Sequence, residues 1–333
     1  MDPGLMAVPL PVHFVLLPGS LVLDWAGPAE ALRITNGCLA EAGRPPAFEL
    51  HFIGPLAEAA SSVGATVSAL EPLPARLPEP AWLVLVGQAG ERIDPQAPGL
   101  PPLLHWLRGL RPQAGRLEVL TVCAGAVLAA HAGLLDGHRI TTHHHHLDEL
   151  QAAAPRCEVV ANRVFVLDGA FSSSAGVTTG IDLFLHRIAV RCGAAIAAQV
   201  AQRMVVALRR GPGDPELSPF LRHRAHLHAA MHRVQDAVSA DPQAEWSLAR
   251  MADVACTSPR HLSRLFAAHA GVTPLQYLQE IRLAVADAAL GAGRSVGQSA
   301  QMAGFASDTQ LRRAWHRRGR EGTPSQRGAD RTA

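Results

Sequence analysis

The 333-residue chain contains no lysine, so each of its 30 fixed positive charges is an arginine guanidinium. That bias is what genomic base composition alone produces, and it assigns no function. Cysteine is scarce as well. Cys38, Cys123, Cys157, Cys192 and Cys256 are an odd, scattered set without the spacing of a metal site or a disulfide framework. Such a set fits reduced thiols in a cytoplasm. No run of 18 or more apolar residues is free of polar interruption, the longest candidate being broken by Thr121 and His131. A membrane span is therefore not expected. Nor does a basic segment precede an apolar stretch at the N-terminus, so no secretory signal is expected. Short-period repeats are absent too.

What is present is length enough for two domains and a lopsided charge. Residues 1–195 hold 12 arginines against 17 acidic residues, a net of −5; residues 196–333 hold 18 against 11, a net of +7. An acidic half joined to a basic half predicts that only the second meets a polyanion.

In the first half, short β-rich runs alternate with alanine- and leucine-rich stretches. VHFVLLPG (12–19), FELHFIG (48–54), AWLVLVG (81–87) and RLEVLTV (116–122) are continuous apolar runs at spacings suited to βαβ units. Strands of that kind are buried on both faces, which predicts a largely parallel sheet with helices on either side. RVFVLDGAFSSSAG (163–176) predicts a hairpin-like pair, and GIDLFLHRIAVRCG a closing helix. The Gly-, Pro- and charge-rich RRGPGDPELSP (209–219) predicts a linker. Beyond it only helical periodicity remains, starting with HRAHLHAAMHRVQDAVSA. The expected organisation is an α/β domain over 10–195, a connecting helix and linker over 196–222, and an all-α domain over 223–328.

The helical half contains one unit twice: SLARMADVACTSPRHLSRLFAAHAG (247–271) and SVGQSAQMAGFASDTQLRRAWHRR (295–318). Each has a short helix, a tight turn and a Ser-capped basic helix, the sequence form of a helix-turn-helix. Ser258 caps the first reading helix, which offers Arg260, His261, Ser263 and Arg264, with Leu262, Leu265 and Phe266 on the buried stripe. Ser307 caps the second, which offers Asp308, Thr309, Gln310, Arg312 and Arg313, with Leu311 and Trp315 inward. Arginine grips guanine edges or phosphates, and glutamine pairs with adenine. Over about 225–325 this half resembles the AraC/XylS family of transcription regulators, through LARMADVACTSPRHLSRLFAAHAGVTPLQYLQEIRLAVADAAL and AQMAGFASDTQLRRAW. It departs from the family pattern after the second unit, where Gly319 and Gln326 or Arg327 stand at positions usually aromatic; a frayed final helix is expected.

LTVCAGAVLAAHAGLLDG (120–137) is a strand, a small-residue turn and a helix, with Cys123 at the elbow. A thiol at a helix start is expected to have a lowered pKa. Elbows of this kind sit at the carboxyl ends of parallel strands, where α/β sheets bind ligands. Together with LDWAGPAEAL (23–32), WLVLVGQAG (82–90), TVCAGAVLAAHAGLLDGHRITTHH (121–144) and FSSSAGVTTGIDLFLH (171–186), it makes the first half resemble PfpI-like members of the class I glutamine amidotransferase-like superfamily. The whole chain is similar to GlxA-type regulators, which fuse such a domain to an AraC-type reader. The resemblance implies a flavodoxin-like three-layer α/β sandwich. It also implies one ligand pocket lined by Asp24, Gly87, Gln88, Cys123, Ala124 and His143, with Glu30 beside Asp24 to complement a cationic group. Peptidase-like relatives place His directly after the cysteine, and hydratase-like ones a polar residue. Ala124 stands there instead, and a nucleophile without an adjacent base is poorly activated. No catalytic residue is therefore expected.

HHHH (143–146) invites a metal reading, but consecutive side chains point different ways and only one or two are expected to converge. His228 and His232 have metal-site spacing (i, i+4) with no third ligand. Neither metal nor cofactor is expected. The sequence thus predicts a cytoplasmic, homodimeric, sequence-specific transcription regulator that senses a small metabolite, binds promoter DNA and works with RNA polymerase. The rival is a cysteine-dependent hydratase or amidase whose DNA-binding half is secondary.

Overall fold

Alternate residues of the apolar strands serve two different cores, which is the signature of a sheet covered on both faces. The computed structural model describes residues 8–206, 210–212, 214–318 and 322–329. These divide into two units, one ending at Glu216 and the other beginning at Leu217.

In chain order the strands of the first unit are β1 (Leu10–Val15), β2 (Phe48–Gly54), β3 (Ala59–Ala60), β4 (Thr66–Val67), β5 (Glu71–Pro72) and β6 (Ala81–Leu85). They continue with β7 (Leu117–Val122), β8 (Arg139–Ile140), β9 (Glu158–Val159), β10 (Phe165–Asp168) and β11 (Phe171–Ser174). Its helices are α1 (Val22–Glu41), α2 (Leu100–Arg108), α3 (Gly125–His131), α4 (Leu147–Ala153), α5 (Thr178–Cys192) and α6 (Ala194–Arg203). The main sheet runs β10-β11-β7-β6-β1-β2-β5, parallel throughout except for the β10–β11 hairpin. Val12, Phe14, Trp82 and Val84 pack into one core with Phe184 and Leu185 of α5 and Leu32 of α1. Val15, Leu83, Leu85 and Val119 pack into the other with Leu103 and Leu107 of α2 and Val127 of α3. The three-layer α/β fold expected from the apolar runs is the one observed. Helix α6, expected as part of a connector, packs on α1 and α5 within this unit. The expected connecting stretch 203–210 reaches into residues 207–209, which lie outside the described residues, as does Gly213 in the expected linker.

The second unit is helical: α7 (Pro219–Arg222), α8 (Ala229–Ala240), α9 (Leu248–Val254), α10 (Pro259–Ala270), α11 (Pro274–Gly291), α12 (Val296–Met302), α13 (Asp308–Arg317) and α14 (Pro324–Ala329). The first of these is one turn long, and α8 starts six residues later than the periodicity from His223 predicts. The His223 ring is buried, its two nitrogens hydrogen-bonding with Ala270 O at 3.0 Å and Glu280 Oε2 at 2.8 Å. Those contacts lie inside the domain, ahead of α8.

Each expected cap is built. Ser247, Ser258, Ser295 and Ser307 accept the N–H three residues on, and Thr273 and Ser295 complete capping boxes with Gln276 and Gln298. The spine is α11. Its Tyr277, Leu278 and Ile281 pack with α8, α9 and α10, while Leu283, Ala286 and Leu290 pack with α12 and α13. The segment expected to fray carries α14; Gly319 and the side chain of Arg327 lie outside the described residues. No helix among the described residues is long and apolar enough to cross a membrane.

Candidate functional site

At the carboxyl end of β7 the chain reverses into α3 through Cys123, whose φ of 56° is in the left-handed region. Val177, between β11 and α5, is in the same region at φ 53°, ψ −116°. For a β-branched residue that is an outlier, and two such conformations cost about 1–3 kcal/mol each. One side chain meets both turns. Asp24, in the first turn of α1, is fully buried; its Oδ1 accepts the Val177 N–H at 2.7 Å and its Oδ2 the Gly87 N–H at 3.2 Å. The Cys123 thiol lies near enough to influence its charge. Gly176 packs so closely that a Cβ there would lie 2.3 Å from Cys123 Cβ, and its φ of +93° suits glycine. Thr142, just ahead of the histidine run, donates its hydroxyl to the Cys123 carbonyl at 2.8 Å.

Asp24, Gly87, Cys123 and Ala124 are therefore brought together as the sequence reading expected, and Gln88 lies beside them. The Gln88 amide is turned to Pro18, donating to its carbonyl at 2.9 Å. His143 follows Thr142 and is half-buried. Glu30 is a correction. Six residues from Asp24 on a helix is about 240° of rotation, so its carboxylate lies on another face, exposed and paired with Arg33 at 2.7 Å. Thr142, Gly176 and Val177 lie within the quoted motifs, but the sequence reading did not single them out, because their importance comes from contacts with remote backbone. It also missed Thr121, Thr141 and Ser174, buried hydroxyls without a hydrogen-bond partner among the described residues.

The charge at this knot reverses the expectation for the thiol. Burial, then the Asp24 carboxylate, push the Cys123 thiol far above its ordinary value, and the Ala124 N–H offsets only part of this. A short helix such as α3 supplies about 0.3–1 kcal/mol to an anion at its start, under one pH unit, so burial wins. Asp24 itself is raised to about 6 by burial, with the Val177 and Gly87 hydrogen bonds and the Cys123 thiol pulling back. His143 is lowered to about 4 by burial and by His144, His145 and His146. Burial and the Asp24 carboxylate thus favour the protonated Cys123 thiol, and Ala124 offers it no base.

The expectation that at most two histidines of the run converge is also corrected. Ligand-capable atoms of His143, His144 and His145 all lie within 4.8 Å of one another.

In the second unit, Arg260 and Arg264 are exposed on α10, while Leu262 and Phe266 are buried and Leu265 half-buried. His261 accepts a hydrogen bond from Arg264 at 2.9 Å, and Ser263 donates to Pro259 O at 2.9 Å. Asp308, Thr309 and Arg313 are exposed on α13, over a buried Leu311 and Trp315. Two residues are more engaged than the sequence reading expected. Gln310 Oε1 accepts the Ala306 N–H at 2.6 Å, and Arg312 is half-buried and donates to Ser325 at 3.1 Å. At the turn between α12 and α13, Gly304 has φ +77°, and a Cβ there would lie 2.5 Å from Gln243 Cα.

Two known families match, in the same order. The DJ-1/PfpI family covers residues 75–189 and a helix-turn-helix domain covers residues 251–326. The HTH-type transcriptional regulator GlxA of Rhizobium meliloti is 30% identical over 311 residues, 92% of this chain and 92% of that protein. The HTH-type transcriptional regulator CdhR of Pseudomonas aeruginosa is 29% identical over 306 residues, 92% of this chain and 88% of that one. A solved ThiJ/PfpI family protein from Pseudomonas syringae shares the fold, with a TM-score of 0.52 at 18% identity over 72% of this chain and 92% of its own.

Proposed function

This chain belongs to the GlxA-type HTH transcriptional regulators and is a DNA-binding transcription regulator; from that premise we propose that its α/β unit is the sensor of a small-molecule effector and performs no catalysis. The observation that carries this reading is the elbow itself. Two strained turns at the carboxyl ends of parallel strands are held by a buried carboxylate, around a thiol kept neutral. Strain retained where the fold habitually binds ligands, with no competent nucleophile, is suited to recognition rather than turnover.

The basic unit reads promoter DNA through α10 and α13. Arg260 and Arg264, then Thr309 and Arg313, are exposed side chains placed to reach base edges or phosphates, and Ser258 and Ser307 mark helix starts that favour phosphate. Gln310 and Arg312 offer DNA the atoms not already bonded to Ala306 and Ser325. Effector binding controls DNA binding by favouring one state of the protein, since equal affinity for two states shifts nothing. The working form is a cytoplasmic homodimer that engages RNA polymerase at the promoter.

The test is a thermal-shift screen of the full chain against amine and amino-acid derivatives, followed by DNA binding with and without each hit. A stabilising metabolite that also changes operator affinity supports sensing. Steady conversion of such a metabolite, lost in Cys123→Ser, would replace the sensor with an enzyme.

A further inference from the structure

The histidine run carries a constellation that the regulator reading does not use. We propose that His143, His144 and His145 bind one divalent transition-metal ion, with Glu216 orienting His144. Consecutive side chains of an extended strand diverge, but here extended His143 (φ −57°, ψ 139°) leads into a 3-10 turn over His144–His146. The turn folds the three rings onto one another, with centroids 4.2, 4.9 and 4.3 Å apart. One ligand-capable atom of each lies within 4.8 Å of the others. Tetrahedral zinc with imidazole at about 2.0–2.1 Å sets its nitrogens about 3.4 Å apart. Rotation of two half-buried side chains and one exposed one covers the difference.

A second feature separates this cluster from a chance run of histidines. The buried carboxylate of Glu216 meets His144 Nδ1 at 2.7 Å and accepts the His144 backbone N–H at 3.2 Å. A carboxylate on one ring nitrogen fixes the tautomer and turns the other nitrogen's lone pair outward, the usual support of a metal-bound histidine. It comes from 72 residues along the chain, so the tertiary fold and not the run supplies it. His143 Nδ1 takes the His145 N–H at 3.4 Å, which leaves Nε2 as its donor. His146 stands apart: it is buried, and only the ligand-capable atoms of His143, His144 and His145 lie within 4.8 Å of one another. Three imidazoles suit zinc, nickel or copper and not magnesium or calcium. They leave a fourth position for water or for a donor atom of a bound molecule. This rests on the histidine geometry and needs no effector.

Metal-stripped full-length protein titrated with zinc chloride against a chromogenic chelator decides the matter, with magnesium chloride as the negative control. One zinc per chain is expected, with at least a tenfold loss in the His144→Gln/His145→Gln variant and a loss of about 10–100-fold in Glu216→Gln. The control His226→Gln/His232→Gln keeps wild-type affinity. No stoichiometric zinc, or binding indifferent to the His144 and His145 changes, overturns the proposal. Binding that falls with the histidines but ignores Glu216→Gln, in a variant whose melting curve shows it folded, reduces the site to adventitious chelation and also overturns it. Should Glu216→Gln not fold, the cobalt(II) spectrum of the wild type takes its place: tetrahedral bands support the site, and octahedral hexahydrate-like bands refute it.

Discussion

Asp24 holds Val177 across 153 residues of chain: its Oδ1 accepts the Val177 N–H at 2.7 Å, while Oδ2 holds Gly87. Asp24→Ala leaves both buried donors unsatisfied, at about 1–3 kcal/mol each. Removing a costly buried charge recovers part of this. We expect the first unit to lose about 2 kcal/mol or more at pH 7 in urea unfolding. Unchanged stability would show that the carboxylate does not brace the turns.

The same residue has a pH signature. Its folded pKa of about 6 lies above its unfolded value, so its stabilising contribution is present below about pH 4 and is lost as pH climbs through 6. The stability difference between wild type and Asp24→Asn should therefore shrink by about 3 kcal/mol between pH 4 and 7. His13, lowered to about 4 by burial and by His51, has the opposite sign: its contribution is present above about pH 6.5 and is lost as pH falls through 4. It is common to both proteins and cancels in the difference. A difference that grows with pH would refute the assignment.

For the cysteines, burial decides the order of reaction. Cys256 is exposed and the other four are buried, so iodoacetamide should label Cys256 first and Cys123 only on unfolding. Cys123→Ser should leave effector-dependent transcription largely intact. Cys123→Leu should destabilise the elbow, because Gly176 already packs against Cβ. Mass spectrometry showing Cys123 labelled ahead of Cys256 would restore the low-pKa elbow.

Arg264 tests base reading. Its replacement by Ala should cost about 1–3 kcal/mol of operator affinity and relax discrimination at one base pair. A loss that is equal on all sequences, with a shallower salt slope, would make it a phosphate contact.

Gly304→Ala tests the second helix-turn-helix. A Cβ there meets the Gln243 backbone at 2.5 Å and the φ of +77° is strained for alanine, so a cost of about 2 kcal/mol or more and weakened DNA binding are expected. Full stability would mean that the Gln243 segment yields freely.

Much of this protein was legible without coordinates. The sheet announced itself because burial on both faces leaves continuous apolar runs such as VLVG, and the two reading helices because Ser258 and Ser307 cap them in sequence. The hidden part lies where partners are remote. Glu30 and Asp24 look alike in sequence, yet helical rotation exposes one and buries the other. The frayed end expected after Gly319 carries a final helix, since packing on α11 depends on more than one aromatic.

The sequence by itself determined most of the elements and their order, because periodicity and capping are fixed by residues within one or two turns, and its family motifs implied the two-part regulator. Only tertiary structure decided the chemistry of the site. It buried the Cys123 thiol and set the Asp24 carboxylate near it, and so raised the thiol that a helix start alone would have lowered. It also set Glu216 on His144 and folded three rings together. Protonation and ligand geometry depend on burial and on charges brought near through space, and no local pattern encodes either.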